Sequence, residues 1–303
     1  MTLSIDMLAT FVKVAEKLSV SGAADDMGIS KGVVSKRVAQ LEHAVQATLF
    51  SRSTRHIALT PAGEAYLGFA RQALHTLTGA DERLRDLRHE LSGPIRITAP
   101  SSWGQKVLAS LIPEFLECHP AIEIELLLND RMMDIAFERI DIALRMTSTA
   151  TPDLVVTPVA RLDWVICAAP RYVASAGTPT TPNDLLHHAC MSYWRETSDD
   201  AWQLAQGDQV QAVRVRGRYH ANNAEAVAHA ALAGLGVALL PAYVCEDDLA
   251  AGHLVRLLQD WTPVTKFGTR ITAVATPDRM QLLRNRALLA FLRERLDGAA
   301  VVL

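Results

Sequence analysis

The stretch SKGVVSKRVAQLE, residues 30–42, crowds Lys31, Ser35, Lys36, Arg37 and Gln40 into a short segment. Ammonium and guanidinium groups interleaved with hydroxyl and amide groups suit contact with phosphates and with base edges. Ser30 and Gly32 belong to the same set: the serine caps a helix, and the glycine lets a backbone approach DNA closely. Arg52 and Arg55 follow around a polar turn. From Lys31 to Arg55 there are five cations, with Glu42 as the only acid, whereas residues beyond Gly93 carry 19 basic and 23 acidic side chains. A solvated amphipathic helix is the plain alternative. Positive charge confined to one segment of a chain with net charge −3 argues instead for one phosphate-contacting module and a remainder with another task.

A second set suits anion binding. Ser101-Ser102-Trp103-Gly104-Gln105 follows the strand-like IRITAP, and Asn222-Asn223-Ala224-Glu225 follows RGRYHA. Ser102 with Gln105, and the asparagines with Glu225, match capping boxes. Two capped helices facing one cleft would offer a carboxylate hydrogen bonds from Ser101, Ser102 and Asn223, flanked by Trp103 and Asn222. Arg145, two residues before Thr147, would pair with the same anion, with Asp141 and Glu138 as competing partners. Trp202 and Tyr193 either line that cavity or belong to a core. Capping alone explains each serine or asparagine site equally well.

Catalytic patterns are missing. No G-x-S-x-G elbow, G-x-x-x-x-G-K loop or H-E-x-x-H pair occurs, so no enzyme activity and no cofactor are expected. GLGVAL (234–239) lacks a third glycine and runs into a strand. His187, His188 and Cys190 have no complementary ligand pair and read as surface or packing residues. The four cysteines, Cys118, Cys167, Cys190 and Cys245, are scattered without a C-x-x-C pair, which predicts reduced thiols in a cytoplasmic protein. No secretory leader is visible, and no apolar run approaches the ~20 residues of a membrane span.

The elements that must position these groups follow from periodicity. Leu8, Phe11, Val12, Ala15 and Leu18 make one helical stripe. Ser19 caps a short second helix that ends at Gly28, and Ser30 caps a third that buries Val34, Val38 and Leu41. Helix, glycine turn and helix make a helix-turn-helix, whose second helix is the one offered to a major groove. LFSRSTRHIAL reads as a two-stranded wing with Arg52 and Arg55 near its tip. Thr60-Pro61 starts a long helix, expected over residues 61–91. Its seam of Tyr66, Ala70, Leu74, Leu77, Leu84, Leu87 and Leu91 suits a partner helix.

Beyond Ser92-Gly93-Pro94, strand patterns at IRITAP, IEIELLL (122–128) and IDIALRM (140–146) alternate with helical stretches and predict a largely parallel α/β sheet. DWVICAA, VRVRGRYHA, GVALLPA and HLVRLL predict a second α/β unit. RITAVAT and a helix from about Arg279 to Leu296 predict a return to the first. The fold class is therefore multidomain, α+β and α/β: a winged helix-turn-helix (1–60), a linker helix (61–92) and a two-lobed α/β domain (93–303), with lobe I about 93–162 and 268–303 and lobe II about 163–267.

The first sixty residues resemble the N-terminal domain of the LysR-type transcriptional regulators. The Ala-Ala pair, Ser-x-x-x-Val-Ser before Leu-Glu, Leu-Phe-x-Arg and Leu-Thr-x-Ala-Gly all stand at that family's spacings. Gly32 departs mildly from its usual small residues or proline. The remainder resembles the family's effector domain, itself similar to periplasmic solute-binding proteins. The likeness is strongest at GPIRITAPSSWGQ, ERIDIALRM and NNAEAVAHAALAGLGVALLP, which lie nearest the CrgA-like subgroup. The resemblance implies a regulator that binds double-stranded promoter DNA, answers to a small, anionic effector between the lobes, and assembles as a homodimer through the linker helix and then a homotetramer. The alternatives are a cytosolic solute-binding protein or enzyme with an accessory N-terminal module, and a general architectural DNA binder. The charge on residues 31–55 disfavours the first, and two hundred residues of acidic ligand-domain fold disfavour the second.

Overall fold

The computed structural model of the protein describes residues 3–52, 57–88, 90–131, 135, 138–146, 153–193 and 200–297. The chain forms two compact units, Met1–His89 and Glu90–Leu303.

In the first unit, α1 (Ile5–Lys17), α2 (Val20–Met27) and α3 (Lys31–Val45) precede the strands β1 (Phe50–Arg52) and β2 (Ile57–Leu59) and the long α4 (Pro61–Leu87). Ser4, Ser19 and Ser30 each cap a helix, accepting from the backbone N–H of Met7, Gly22 and Val33. Gly28 closes α2 at φ 64°, a conformation in which a Cβ would be strained. Phe11, Ala23, Ala24, Val34, Val38, Leu41 and Phe50 share one buried core. Gly63 is required by close packing, because a Cβ there would stand 2.0 Å from the carbonyl oxygen of Leu49.

The linker seam divides. Leu67 and Ala70 are buried in this unit's own core, with Tyr66 and Leu74 packed against it, and Tyr66 meets Phe11 edge-on at 5.7 Å. The first half of the expected partner-facing seam is thus internal. Ala65, Phe69, Ala73 and Leu77 lie exposed along α4, Phe69 at 71% and Leu77 at 45%. The helix ends at Leu87 rather than Leu91. Leu91 packs in the second unit, and the side chains of Leu84 and Leu87 lie outside the described residues.

The second unit begins with β3 (Gly93–Ala99), followed by α5 (Ser101–Trp103), a π-helical turn over Gly104–Leu108 and α6 (Ala109–Cys118). Next come β4 (Ile122–Leu128), β5 (Ile142–Met146), β6 (Val155–Arg161), β7 (Trp164–Ala168), α7 (Pro170–Ala176), a 3-10 turn at Pro182–His187 and β8 (Cys190–Tyr193). Then follow β9 (Ala201–Gln206), β10 (Gln209–Arg214), β11 (His220–Ala221), α8 (Ala224–Leu232), β12 (Val237–Pro241), α9 (Ala242–Ala250), β13 (Val255–Leu257) and β14 (Thr262–Val264). The chain closes with β15 (Arg270–Ala275), α10 (Pro277–Gln281) and α11 (Leu283–Asp297).

Among the described residues of this unit three sheets result, in the orders β4-β3-β5-β15-β6, β11-β8-β12-β7-β13 and β10-β9-β14. The first two are mixed, not largely parallel: β15 runs antiparallel to β5 and β6, and β7 antiparallel to β12 and β13. A strand that returns from elsewhere in the chain need not run parallel to its neighbours, and hydrophobic pattern carries no direction. The single C-terminal helix expected from Arg279 breaks at Leu282, where Asn285 Nδ2 donates to the carbonyl of Arg279.

Candidate functional site

On α3, Val34, Val38 and Leu41 are buried, while Lys31, Gly32, Val33, Lys36, Ala39 and His43 are exposed and Ser35, Arg37 and Gln40 half-buried. Ser30, Lys31, Gly32 and Lys36 therefore share an open face with Ser35 and Gln40 at its margin. Two residues leave this face. Arg37 Nη2 lies 2.6 Å from Asp6 Oδ2, and its Nη1 also reaches Thr10; it ties α3 to α1 and is not offered outward as the sequence suggests. Glu42 turns in as well, accepting from Leu49 N–H at 2.8 Å and Phe50 N–H at 3.1 Å.

Removing Glu42 from the surface leaves the lysines of α3 without a neighbouring acid from their own helix. By contrast, Lys13 and Lys17 on α1 pair with Glu16 and Asp26. Mutual attraction lowers the Asp26 pKa and raises that of Lys17. Val33, 38% exposed, and His43 were missed by sequence reasoning. Counting from Val34-Val38-Leu41 would have placed both outside the core. Arg52 ends β1 opposite Ile57; its side chain, and the whole of Arg55, lie outside the described residues.

In the second unit, Ser101 and Ser102 do not form the expected capping box. Pro100 precedes α5 and no side chain caps it. Instead the Ser101 backbone N–H donates to Asp130 Oδ1 at 3.1 Å, so the chain's own carboxylate occupies that donor. Ser102, buried, shares a 2.9 Å hydrogen bond with the hydroxyl of Tyr243 at the start of α9, and Lys106 Nζ donates to the carbonyl of Val244. The turn of Ser102 thus meets α9 across the line between the sheets. Burial pushes the Tyr243 hydroxyl well above its ordinary pKa, opposed by the Ser102 hydrogen bond and reinforced by nearby Tyr193, Asp130 and Glu225. Trp103 is buried in the core.

The second expected box also changes. Asn223 is the N-cap of α8 and accepts from Ala226 N–H at 3.0 Å, which places Glu225 one position short of reciprocating. Asn222 is exposed. Asp141 is held by Arg279 at 3.0 Å and by the backbone N–H of Arg96. Arg145 lies half-buried on β5, and Thr147 lies outside the described residues. His188 contacts the Tyr172 hydroxyl, and burial pushes the Cys190 thiol up to about 12. Among the described residues no three His, Cys, Asp or Glu side chains cluster to hold a metal, and no helix is long and apolar enough to cross a membrane.

Trp202 joins a different set from Ser101, Ser102 and Asn223. With Tyr193 it lines a cavity of about 340 Å³, walled also by Trp164 and Phe267 and edged by Thr265 and Lys266. Trp164 and Phe267 stack at 5.5 Å, and Tyr193 leans on Phe267 at 5.1 Å. A shallower cavity of about 720 Å³ beside α11, lined by Leu91, Met280, Arg286 and Arg293, contains none of the expected site residues.

Residues 5–64 match the family model described as bacterial regulatory helix-turn-helix protein, lysR family, and residues 88–297 match that of the LysR substrate binding domain. The chain is 33% identical over 294 residues to the HTH-type transcriptional regulator PtxR of Pseudomonas aeruginosa, covering 97% of this chain and 93% of that one. Two solved structures align along nearly the whole length. CrgA, a LysR-type regulator from Neisseria meningitidis, gives a TM-score of 0.62 at 27% identity, covering 98% of this chain and 99% of CrgA. The Vibrio cholerae virulence activator AphB gives 0.63 at 26%, covering 96% and 98%.

Proposed function

Since the chain belongs to the LysR family and is a transcriptional regulator with a helix-turn-helix and a substrate-binding domain, we propose how its residues divide the work. Lys31 and Lys36 neutralise phosphates, with Gly32 admitting the backbone to the groove. Ser35, Gln40 and the newly exposed Val33 face base edges, Val33 suiting a thymine methyl. Arg52 and Arg55 on the wing contact the backbone or the minor groove. The observation that carries this assignment is the open α3 face from which Glu42 has been withdrawn. Arg37 is assigned to holding α3 against α1, not to the DNA.

The exposed apolar line Ala65, Phe69, Ala73 and Leu77 pairs two copies along α4, and two such pairs make a tetramer. Paired recognition helices then address half-sites about one helical turn or a small multiple apart. A DNA partner places the protein in the cytoplasm. In the second unit, a small effector alters DNA binding by favouring one arrangement of the two larger sheets over the other, which requires unequal affinity for the two. The Ser102–Tyr243 hydrogen bond is the contact such a change would break or make. The Ser101 N–H already serves Asp130, so an anion reaching it must displace that carboxylate, whereas Asn223 caps α8 through its acceptor Oδ1 and not through the Nδ2 donors an anion would use.

The test is titration of promoter DNA from beside the protein's own gene across a salt series. Wild type is expected to bind with a steep negative salt slope, and Lys31→Ala/Lys36→Ala to flatten the slope by about two for each DNA-contacting subunit. An unchanged slope would sink the assignment of these lysines.

A further inference from the structure

We propose that the cavity between β7, β8 and β9 receives the effector's body and that the molecule it takes is a planar aromatic carboxylate. The proposal deepens the effector reading above and rests on it. At about 340 Å³ the cavity lies near the small end of the range for ligand pockets, about 300–1,000 Å³, and admits a molecule of one or two rings.

Its walls select flatness. Trp164, Tyr193, Trp202 and Phe267 all line the cavity although each is buried, and ring atoms that border a void lack dispersion contacts there that an inserted ring would supply. The rings are held in place before any ligand arrives. Trp164 Nε1 donates to the Gly268 carbonyl at 2.9 Å, Phe267 lies between Trp164 and Tyr193, and Trp202 is fixed by β9, paired on both sides.

Its polar groups select a negative end. Thr265 stands at the cavity's edge. Lys266, next in sequence, brings an ammonium within 5.8 Å of the Phe267 ring centre. No described lining residue is Asp or Glu. A cationic ligand would be repelled by Lys266, and a bare arene would forgo its attraction. A carboxylate answers both. The competing location is already filled, because the Ser101 N–H is taken by Asp130, and Asp130 and Glu225 lie near Tyr243, where they would repel an anion. Tyr193 both walls the cavity and lies close enough to Tyr243 to act on it, which sets occupancy beside the Ser102–Tyr243 contact.

The experiment titrates the full-length protein with 2-naphthoate, 2-naphthamide and 2-naphthyltrimethylammonium, reading heat and tryptophan fluorescence. The expected result is saturable binding of one naphthoate per chain with a fluorescence change. The amide should bind about tenfold more weakly, the size of effect expected from one charged hydrogen bond, and the cation should not bind. Lys266→Gln should lower naphthoate affinity by a similar factor and leave the amide unchanged, while Lys266→Arg retains the preference. No saturable binding, equal binding of the three probes, or no effect of Lys266→Gln would overturn the proposal. The same preparations are tested on promoter DNA. Retained DNA binding with no naphthoate binding refutes this inference alone, whereas absent DNA binding refutes the assignment of that promoter as the operator.

Discussion

Lys36→Ala should weaken binding to every DNA sequence alike and reduce the salt slope by about one for each DNA-contacting subunit, while its neighbour Arg37→Ala should act mainly on folding. The Arg37–Asp6 pair is partly exposed, so its loss should cost less than about 1 kcal/mol. Asp6→Ala should match it in a thermal melt, and the double variant should cost little more than either alone. Glu42→Ala should do greater damage. It strands the N–H groups of Leu49 and Phe50 at about 1.5–3 kcal/mol for a charged acceptor, and denaturant unfolding of the N-terminal unit would measure it. Arg37 and Glu42 also mark what could be read from the sequence. Helical periodicity separates Val34, Val38 and Leu41 from the rest of α3. It cannot tell which polar side chains reach outward, because that depends on where α1 and the wing lie. Arg37 and Glu42 look like surface charges until their partners, 31 and 7 residues away, are in position.

At the scale of elements, the contact between α5 and α9 is the part to perturb. Tyr243→Phe removes the hydrogen bond to Ser102 while keeping the ring. It should leave the melting temperature of the DNA-binding unit unchanged and shift the effector concentration needed to alter DNA binding. An unchanged response would exclude this contact from the switch. Asp184 offers a pH test of another element. The backbone N–H groups of Thr180 and Thr181 hold its carboxyl down at about 2. Its contribution is therefore present above the ordinary carboxylate range and lost as pH falls through about 2, and Asp184→Asn should remove that acid-side dependence. Strands such as IEIELLL were legible because they alternate between bulky bounds. The strands β6, β8, β9 and β14 were not, since short, polar or proline-containing segments such as VVTPVAR are strands only through their neighbours. The capping boxes failed for a related reason: the motif fixes spacing, but Pro100 and Asn223 decided where each helix begins.

For the whole molecule, assembly is the first consequence. Phe69→Glu sets a charge on the exposed face of α4 and should drive sedimentation toward smaller species, with DNA affinity falling as paired contacts are lost. Tyr66 and Ala70 would be poor choices for that test, because they support their own unit. The order of strands in the first large sheet has a consequence for synthesis. Its neighbours β5 and β6 are joined only through β15, which leaves the ribosome more than a hundred residues after β5. Until then two strand edges stand unpaired, and open edges invite pairing with other chains. A nascent protein of this kind must wait, half-built, for its own C-terminus. A chain stopped before Arg270 should accumulate as aggregate rather than as a smaller soluble domain.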